Sequence, residues 1–141
     1  MIDISNKDIV YREAEAEGEI VLKTSTVESI LKKDIKKGDV FEVARVSAIM
    51  GVKNTPWIIP HTHPVPIEKV DVKFTVMGNR IKVNCTVGAH YKTGVEMEAL
   101  AGVTSALLTI WDMVKYLEKD ENGQYPYTSI KNIEVIKKEK I

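Results

Sequence analysis

Between Glu98 and Glu118 the chain carries only two charged residues, Asp112 and Lys115. The spacing of Leu100, Val103, Leu107, Ile110, Val114 and Leu117 predicts a helix from Glu96 to about Lys119, with those residues as its core stripe. The opposite side carries Ala101, Thr104, Ser105, Leu108 and Trp111, where a helix on the surface of a sheet would show charge. A helix apolar almost all round is buried all round. One four-stranded sheet covers only one of its faces, so a second copy of the chain is the expected cover for the other. The uncharged run Ala99 to Trp111 is too short to span a bilayer.

The remaining elements follow from periodicity and punctuation. Val70, Val72, Phe74 and Val76 alternate with Asp71, Lys73 and Thr75. After the turn signal Gly78-Asn79, Ile81, Val83, Cys85 and Val87 repeat the pattern, giving a hairpin with one buried face. Cys85 falls in the apolar register and reads as packing in preference to a reactive thiol. Glu19 to Lys23 is a short strand candidate. Ser25 with Glu28 forms a capping box that starts a helix through Lys33. Asp39 is the N-cap candidate of a second helix to about Val52, with Val40, Val43, Ala44, Ser47 and Met50 as its stripe. TPWIIPHTHPVP, residues 55–66, holds four prolines and reads as a stiff extended connection. Asp120 to Gly123 ends the long helix, and Ile130 to Ile136 closes as a last strand before a lysine-rich tail.

The order is strand, helix pair, strand, strand, long helix, strand. That is the βαββαβ pattern of α+β ferredoxin-like domains, a four-stranded antiparallel sheet with helices on one face. The expectation is one domain over residues 1–141, with 1–18 as an N-terminal arm and 19–138 as the ferredoxin-like core. Twenty basic residues balance twenty acidic ones, so no net positive field points to nucleic acid, and no polybasic run points to an anionic membrane. One cysteine excludes an internal disulfide and a cysteine zinc cluster. MIDISNKDIVYREAEAEGE is too polar for a signal peptide, so a soluble, cytoplasmic protein is expected.

Several residues are candidates for chemistry. Asp112 and Lys115, three apart on a helix, are able to touch in a largely apolar setting. They are either an ion pair at an interface or a positioned acid/base and cation, because an unused charge in such a setting is costly. Glu96 and Glu98 are either an acidic first helical turn, favoured by the dipole, or one end of a reaction site. Fourteen residues separate Glu98 from Asp112, roughly 21 Å along a helix, so both serve one ligand only if it is large or the site is shared between chains. His61 and His63 share one face of an extended segment. They suit a surface pair, a metal pair lacking an identifiable third ligand, with His90 remote in sequence, or an acid/base or phosphate donor fixed by the flanking prolines. Lys53 at a helix C-terminus and Arg12 near the N-terminus are unremarkable alone. No glycine-rich phosphate loop is present.

Taken in order, IDIS, YREAEAEGEI, IKKGDV, ARVSAIMGVKNT, IIPHTHP, KTGVEMEAL and LLTIWDMVK resemble the molybdenum cofactor biosynthesis protein C family, the cyclic pyranopterin monophosphate synthases. The resemblance runs from Ile2 to about Lys138 and is most specific at TGVEMEAL and at Trp111 to Lys115. It implies a ferredoxin-like lyase assembled as a hexamer, a trimer of dimers, with sites at subunit interfaces. It implies conversion of 3′,8-cyclo-7,8-dihydroguanosine 5′-triphosphate to cyclic pyranopterin monophosphate with release of pyrophosphate. By the same resemblance Lys53 matches the lysine of the family's A-x-K-x-T segment, with Gly51 in place of the alanine. His63 matches the histidine before proline. Glu96, Met97 and Glu98 match the paired glutamates and the methionine between them. Asp112 and Lys115 match a catalytic aspartate and lysine. Arg12 matches an arginine for the triphosphate, and Lys138 a C-terminal substrate lysine. Thr62 replaces the family's cysteine, His61 its leucine and Asn54 an arginine, and the family's glycine-lysine-serine tail is absent.

The implied chemistry needs proton transfers, for Asp112 and Lys115, and cations around a departing pyrophosphate, for Lys53, Arg12 and His63. Glu96 and Glu98 suit the N–H donors of the guanine-derived end. No redox cofactor is called for; a divalent cation accompanying the triphosphate stays open. Two other readings stay open as well. One is an oligomeric nucleotide- or metal-binding module without turnover, and the other is a metal-dependent nucleotide hydrolase.

Overall fold

The computed structural model describes residues 1–141. Strand β1 (Val10–Val21) is followed by helices α1 (Thr24–Leu31), α2 (Val40–Lys53) and α3 (Thr55–Ile58). Strands β2 (Lys69–Met77) and β3 (Arg80–Tyr91) form a hairpin, and α4 (Glu96–Glu118) leads to β4 (Ser129–Lys140). All pairings are antiparallel and the sheet order is β2-β3-β1-β4. This is the α+β ferredoxin-like arrangement expected from the sequence. Helix α4 lies on β1, β3 and β4, and α2 packs on α4 and β2.

The first strand starts at Val10, not Glu19, so residues 10–18 belong to the sheet's centre and not to an arm. Their period of two is carried by small residues. Ala14, Ala16 and Gly18 face α4, while Glu13, Glu15, Glu17 and Glu19 face away. A Cβ on Gly18 would lie 2.9 Å from Leu107 Cδ1 and Val103 Cγ1, so bulkier residues here would lift the helix off the sheet. The outward glutamates meet Lys69 (3.0 Å), Asn84 (2.9 Å), Lys82 (3.5 Å) and Arg80 (3.0 Å) across the strands, giving a charge-laced solvent face. Strand β4 reaches Lys140, beyond the expected Ile136, and absorbs two register shifts against β1 with Asn132 at φ 58°.

The back of α4 is covered in part by the chain itself, which corrects the expectation that only a second copy reaches it. Ser47 Oγ donates to the Ser105 carbonyl (3.2 Å), and Thr109 Oγ1 donates to Ser47 Oγ (2.6 Å). A Cβ on Gly51 would collide with the Ser105 hydroxyl and lie 2.9 Å from the Ala101 carbonyl. Small residues therefore form the helix–helix seam. The buried row of α2 is Val40, Ala44, Ala48, Gly51 and Val52, while Val43 and Met50 of the expected stripe are exposed. Leu108 on α4 remains 57% exposed. By length and composition all of α4 could cross a bilayer, and half of its apolar window is buried inside the fold, as in a core helix.

Asp39 caps α2 by accepting from the Glu42 N–H at 3.2 Å, as expected. The Ser25/Glu28 capping box is not used. Helix α1 begins at Thr24 with Lys23 as N-cap and no side chain capping its first turn, and the start of the helix is tied instead to Glu118, at the far end of α4. Its fully buried carboxylate accepts from the Lys23 N–H (3.1 Å), the Thr26 hydroxyl and the Thr128 hydroxyl (2.6 Å). The proline segment is not wholly extended, because Pro56 sits in the first turn of α3, where its missing N–H costs nothing. Gly78, at φ 62°, makes the hairpin turn. Cys85 is fully buried against the Gly102 position, and burial pushes its thiol up to about 12.

Candidate functional site

Helices α2 and α4 run antiparallel through the Gly51–Ser105 and Ser47–Thr109 contacts, so the C-terminus of α2 lies beside the N-terminus of α4. There the first turn of α4 and the 61–64 segment enclose two clefts. The larger, about 480 Å³, is lined by His61, Thr62 and His63, by Thr93, Gly94, Glu96, Met97 and Glu98, and by Met1, Ile2, Ile4 and Lys7 of the N-terminal arm. The smaller, about 330 Å³, is lined by Val52, Lys53, Pro56, Trp57, Pro64, Val65 and again Glu98. Glu98 is the one residue common to both, and it is only 3% exposed.

The carboxylates differ in state. Burial pushes the Glu98 carboxyl above its ordinary value, and the neighbouring Glu96 charge adds to this, while its own backbone N–H works the other way. Burial also acts to raise Glu96, but there it is outweighed. Lys138 Nζ lies 2.6 Å from Glu96 Oε1, and this bond, the Glu96 backbone N–H and the charges of Lys138 and Arg12 hold Glu96 below its ordinary value. Sheet register explains the pair. Lys138 on β4 stands opposite Ala14 of β1, one of the residues facing α4.

Arg12 belongs to the same inward row and is 8% exposed, so it is not a solvated charge. Its Nε donates to the Tyr91 carbonyl at 3.3 Å and its Nη2 reaches the Lys92 carbonyl at 3.5 Å, just before α4. Arg12, Lys53, His63, Glu96, Met97, Glu98 and Lys138 are therefore gathered at one end of the sheet. The arm is held there too. The Met1 ammonium lies 2.9 Å from His61 Nδ1, and Lys92 Nζ donates to the Ser5 carbonyl at 3.3 Å. His90 stays apart on the outer face, with Nδ1 2.7 Å from Glu68 Oε1, and no three metal-ligating side chains converge anywhere in the chain.

Asp112 and Lys115 do not join this cluster. They lie more than three turns further along α4, at 3.2 Å from each other. Their setting is not apolar in the single chain, since their side chains are 58% and 43% exposed. A third group completes them. Lys37 Nζ, from the turn before α2, lies 3.1 Å from Asp112 Oδ2 and 3.0 Å from the Asp112 carbonyl. Hydrogen bonds from Lys37 first, then Lys115, hold the Asp112 carboxyl below its ordinary value. Sequence reasoning missed Lys37 because IKKGDV reads as a helix break, and nothing local shows that its lysine reaches α4. The arm residues Ile2, Ile4 and Lys7 and the loop residues Thr93 and Gly94 were missed for the same reason.

The arrangement defines an α+β protein with two polar constellations, one at a cleft at the start of its longest helix and one exposed on the second half of that helix. The model of the MoaC family matches residues 1–140, and the chain belongs to that family. It is 57% identical over 138 residues to the probable cyclic pyranopterin monophosphate synthase of Sulfurisphaera tokodaii, covering 98% of this chain and 91% of that one. The protein of the same name from Pyrococcus horikoshii is 54% identical over 140 residues, 99% of this chain and 88% of that one. A relative from Methanothermobacter thermautotrophicus, 53% identical over 141 residues, all of this chain and 89% of its own length, is named a probable cyclic pyranopterin monophosphate synthase accessory protein.

Proposed function

We propose that this chain is a cyclic pyranopterin monophosphate synthase of molybdenum cofactor biosynthesis. It converts 3′,8-cyclo-7,8-dihydroguanosine 5′-triphosphate to cyclic pyranopterin monophosphate and releases pyrophosphate. The observation that carries this reading is the pairing of two constellations on one helix in a chain of this family. One holds carboxylates beside cations in a cleft of substrate size, and the other holds an aspartate between two lysines.

In this reading Glu98 and Glu96 accept N–H donors of the guanine-derived ring, with Met97 against its face. Lys53, His63, Arg12 and Lys138 surround the triphosphate, and Lys138 exchanges Glu96 for phosphate oxygens when substrate enters. Lys37, Asp112 and Lys115 handle the proton transfers of ring opening and rebuilding. The two ends lie roughly 21 Å apart along α4, so the complete site forms when a second copy brings its Asp112 end to the Glu98 cleft. A hexamer arranged as a trimer of dimers, in the cytoplasm, fits this reading. No redox cofactor takes part, and a divalent cation with the triphosphate is compatible with it.

The test is turnover of the cyclised guanosine triphosphate, followed by pyrophosphate release, for wild type, Lys53→Ala and Asp112→Asn. Turnover by wild type and its loss in both folded variants is expected. Tight binding without turnover by wild type would favour a nucleotide- or metal-binding module. Loss of nucleotide turnover on chelation would favour a metal-dependent hydrolase.

A further inference from the structure

The turn that carries Lys37 has few fastenings. Ile35 is 8% exposed and roots it in the core. The Gly38 N–H closes on the Ile35 carbonyl at 3.1 Å, with Gly38 at φ 114°. The only bond from its backbone to α4 is the Lys36 N–H donating to Tyr116 Oη at 2.9 Å. Tyr116 is four residues beyond Asp112, hence on the same face of the helix one turn on. Its ring also lies 5.2 Å from Lys36 Nζ. Two consecutive ammonium groups are thus sorted, with Lys36 onto the π-face and Lys37 onto the carboxylate.

Resting on the synthase reading of the Lys37–Asp112–Lys115 group, we infer that Tyr116 is a positioning residue for Lys37. The phenol fixes the Lys36 peptide at the height on α4 where the next side chain reaches Asp112 Oδ2. It acts through Lys37 and makes no contact with substrate. An exposed lysine on an unfastened turn would sample many rotamers, and the fraction of time spent at Asp112 would fall.

The test compares wild type, Tyr116→Phe, Lys37→Met and the double variant. Phenylalanine keeps the ring and its place over Lys36 and removes only the oxygen, at a position 36% exposed, so the fold is retained. A fall in kcat of about 2- to 12-fold with KM unchanged is expected for Tyr116→Phe, the worth of one hydrogen bond. In the Lys37→Met background the same change should cost nothing further. A raised KM, or an added loss in the double variant, would mean that Tyr116 touches substrate and would overturn the positioning role. A second readout needs no turnover. By carbon NMR of the Asp112 carboxyl, Tyr116→Phe should move the titration midpoint upward, part of the way to that of Lys37→Met. A midpoint that stays at the wild-type position overturns the role of Tyr116. Absence of turnover in wild type would count against the synthase reading alone, and the NMR comparison would still decide this one.

Discussion

Glu98→Gln should make the protein more stable and less active at once. The side chain is 3% exposed, and burial together with the charge of Glu96 raises its carboxyl pKa. A raised folded-state value means that the folded protein holds the proton more tightly than the unfolded chain. Ionising Glu98 at neutral pH therefore works against folding, and the penalty fades as pH falls through the folded pKa toward the unfolded one. Glutamine, nearly the same shape, never ionises and removes that penalty. The same change deprives the ring-reading end of a charged acceptor, a hydrogen bond to a charged group worth about 1.5–3 kcal/mol, or about 10- to 150-fold in kcat/KM. The assays are urea unfolding at pH 7 and pH 4, at one fixed protomer concentration, beside pyrophosphate release. The expected result is a higher urea midpoint for the variant at pH 7, a smaller difference at pH 4 and reduced kcat/KM. A variant less stable than wild type at pH 7, with turnover unchanged, would refute both the electrostatic account and the assigned role.

Three further predictions concern the frame around the site. Gly51→Ala should destabilise by about 1–3 kcal/mol in urea unfolding and weaken substrate binding, because the new methyl collides with Ser105 and the Ala101 carbonyl and pushes away the helix end that bears Lys53. Glu118→Ala should cost about 2–4 kcal/mol by the same measurement, since it leaves the Lys23 N–H and the Thr26 and Thr128 hydroxyls without their buried acceptor; a cost below about 1 kcal/mol would show that water replaces it. Cys85, with its thiol pushed up to about 12 by burial, should resist iodoacetamide in the native protein at pH 8 and react once urea unfolds it.

The hairpin, the long helix and the second helix were legible because bulky apolar residues repeat at the period of each element and Gly78-Asn79 and Asp39 mark their ends. Strand β1 was obscured because its buried row is Ala14, Ala16 and Gly18, residues chosen for thinness under α4, and hydrophobic periodicity gives such residues little weight. The exposed stripe of α2 has the converse cause, for its bulky Val43 and Met50 point outward while small residues make the seam. Local rules also failed at α1, where a capping box is present but the acceptor comes from Glu118, 95 residues away from Lys23. In the candidate site, the cluster of Lys53, His63 and the glutamates followed from the family resemblance, and residue spacing along α4 already separated Asp112 from it. The contribution of Lys37 depends on how the turn before α2 folds back on α4, a tertiary contact that no local pattern encodes.

In the proposed assembly the Glu98 cleft of one copy works with the Asp112 group of another. Co-expression of Glu98→Gln and Asp112→Asn chains, each strongly impaired alone, tests this pairing. In mixed oligomers, a site shared across copies pairs an intact Glu98 end with an intact Asp112 end in about a quarter of cases, and pyrophosphate release should return to that level. Mixed oligomers that form and stay as impaired as the parents would contradict the shared site.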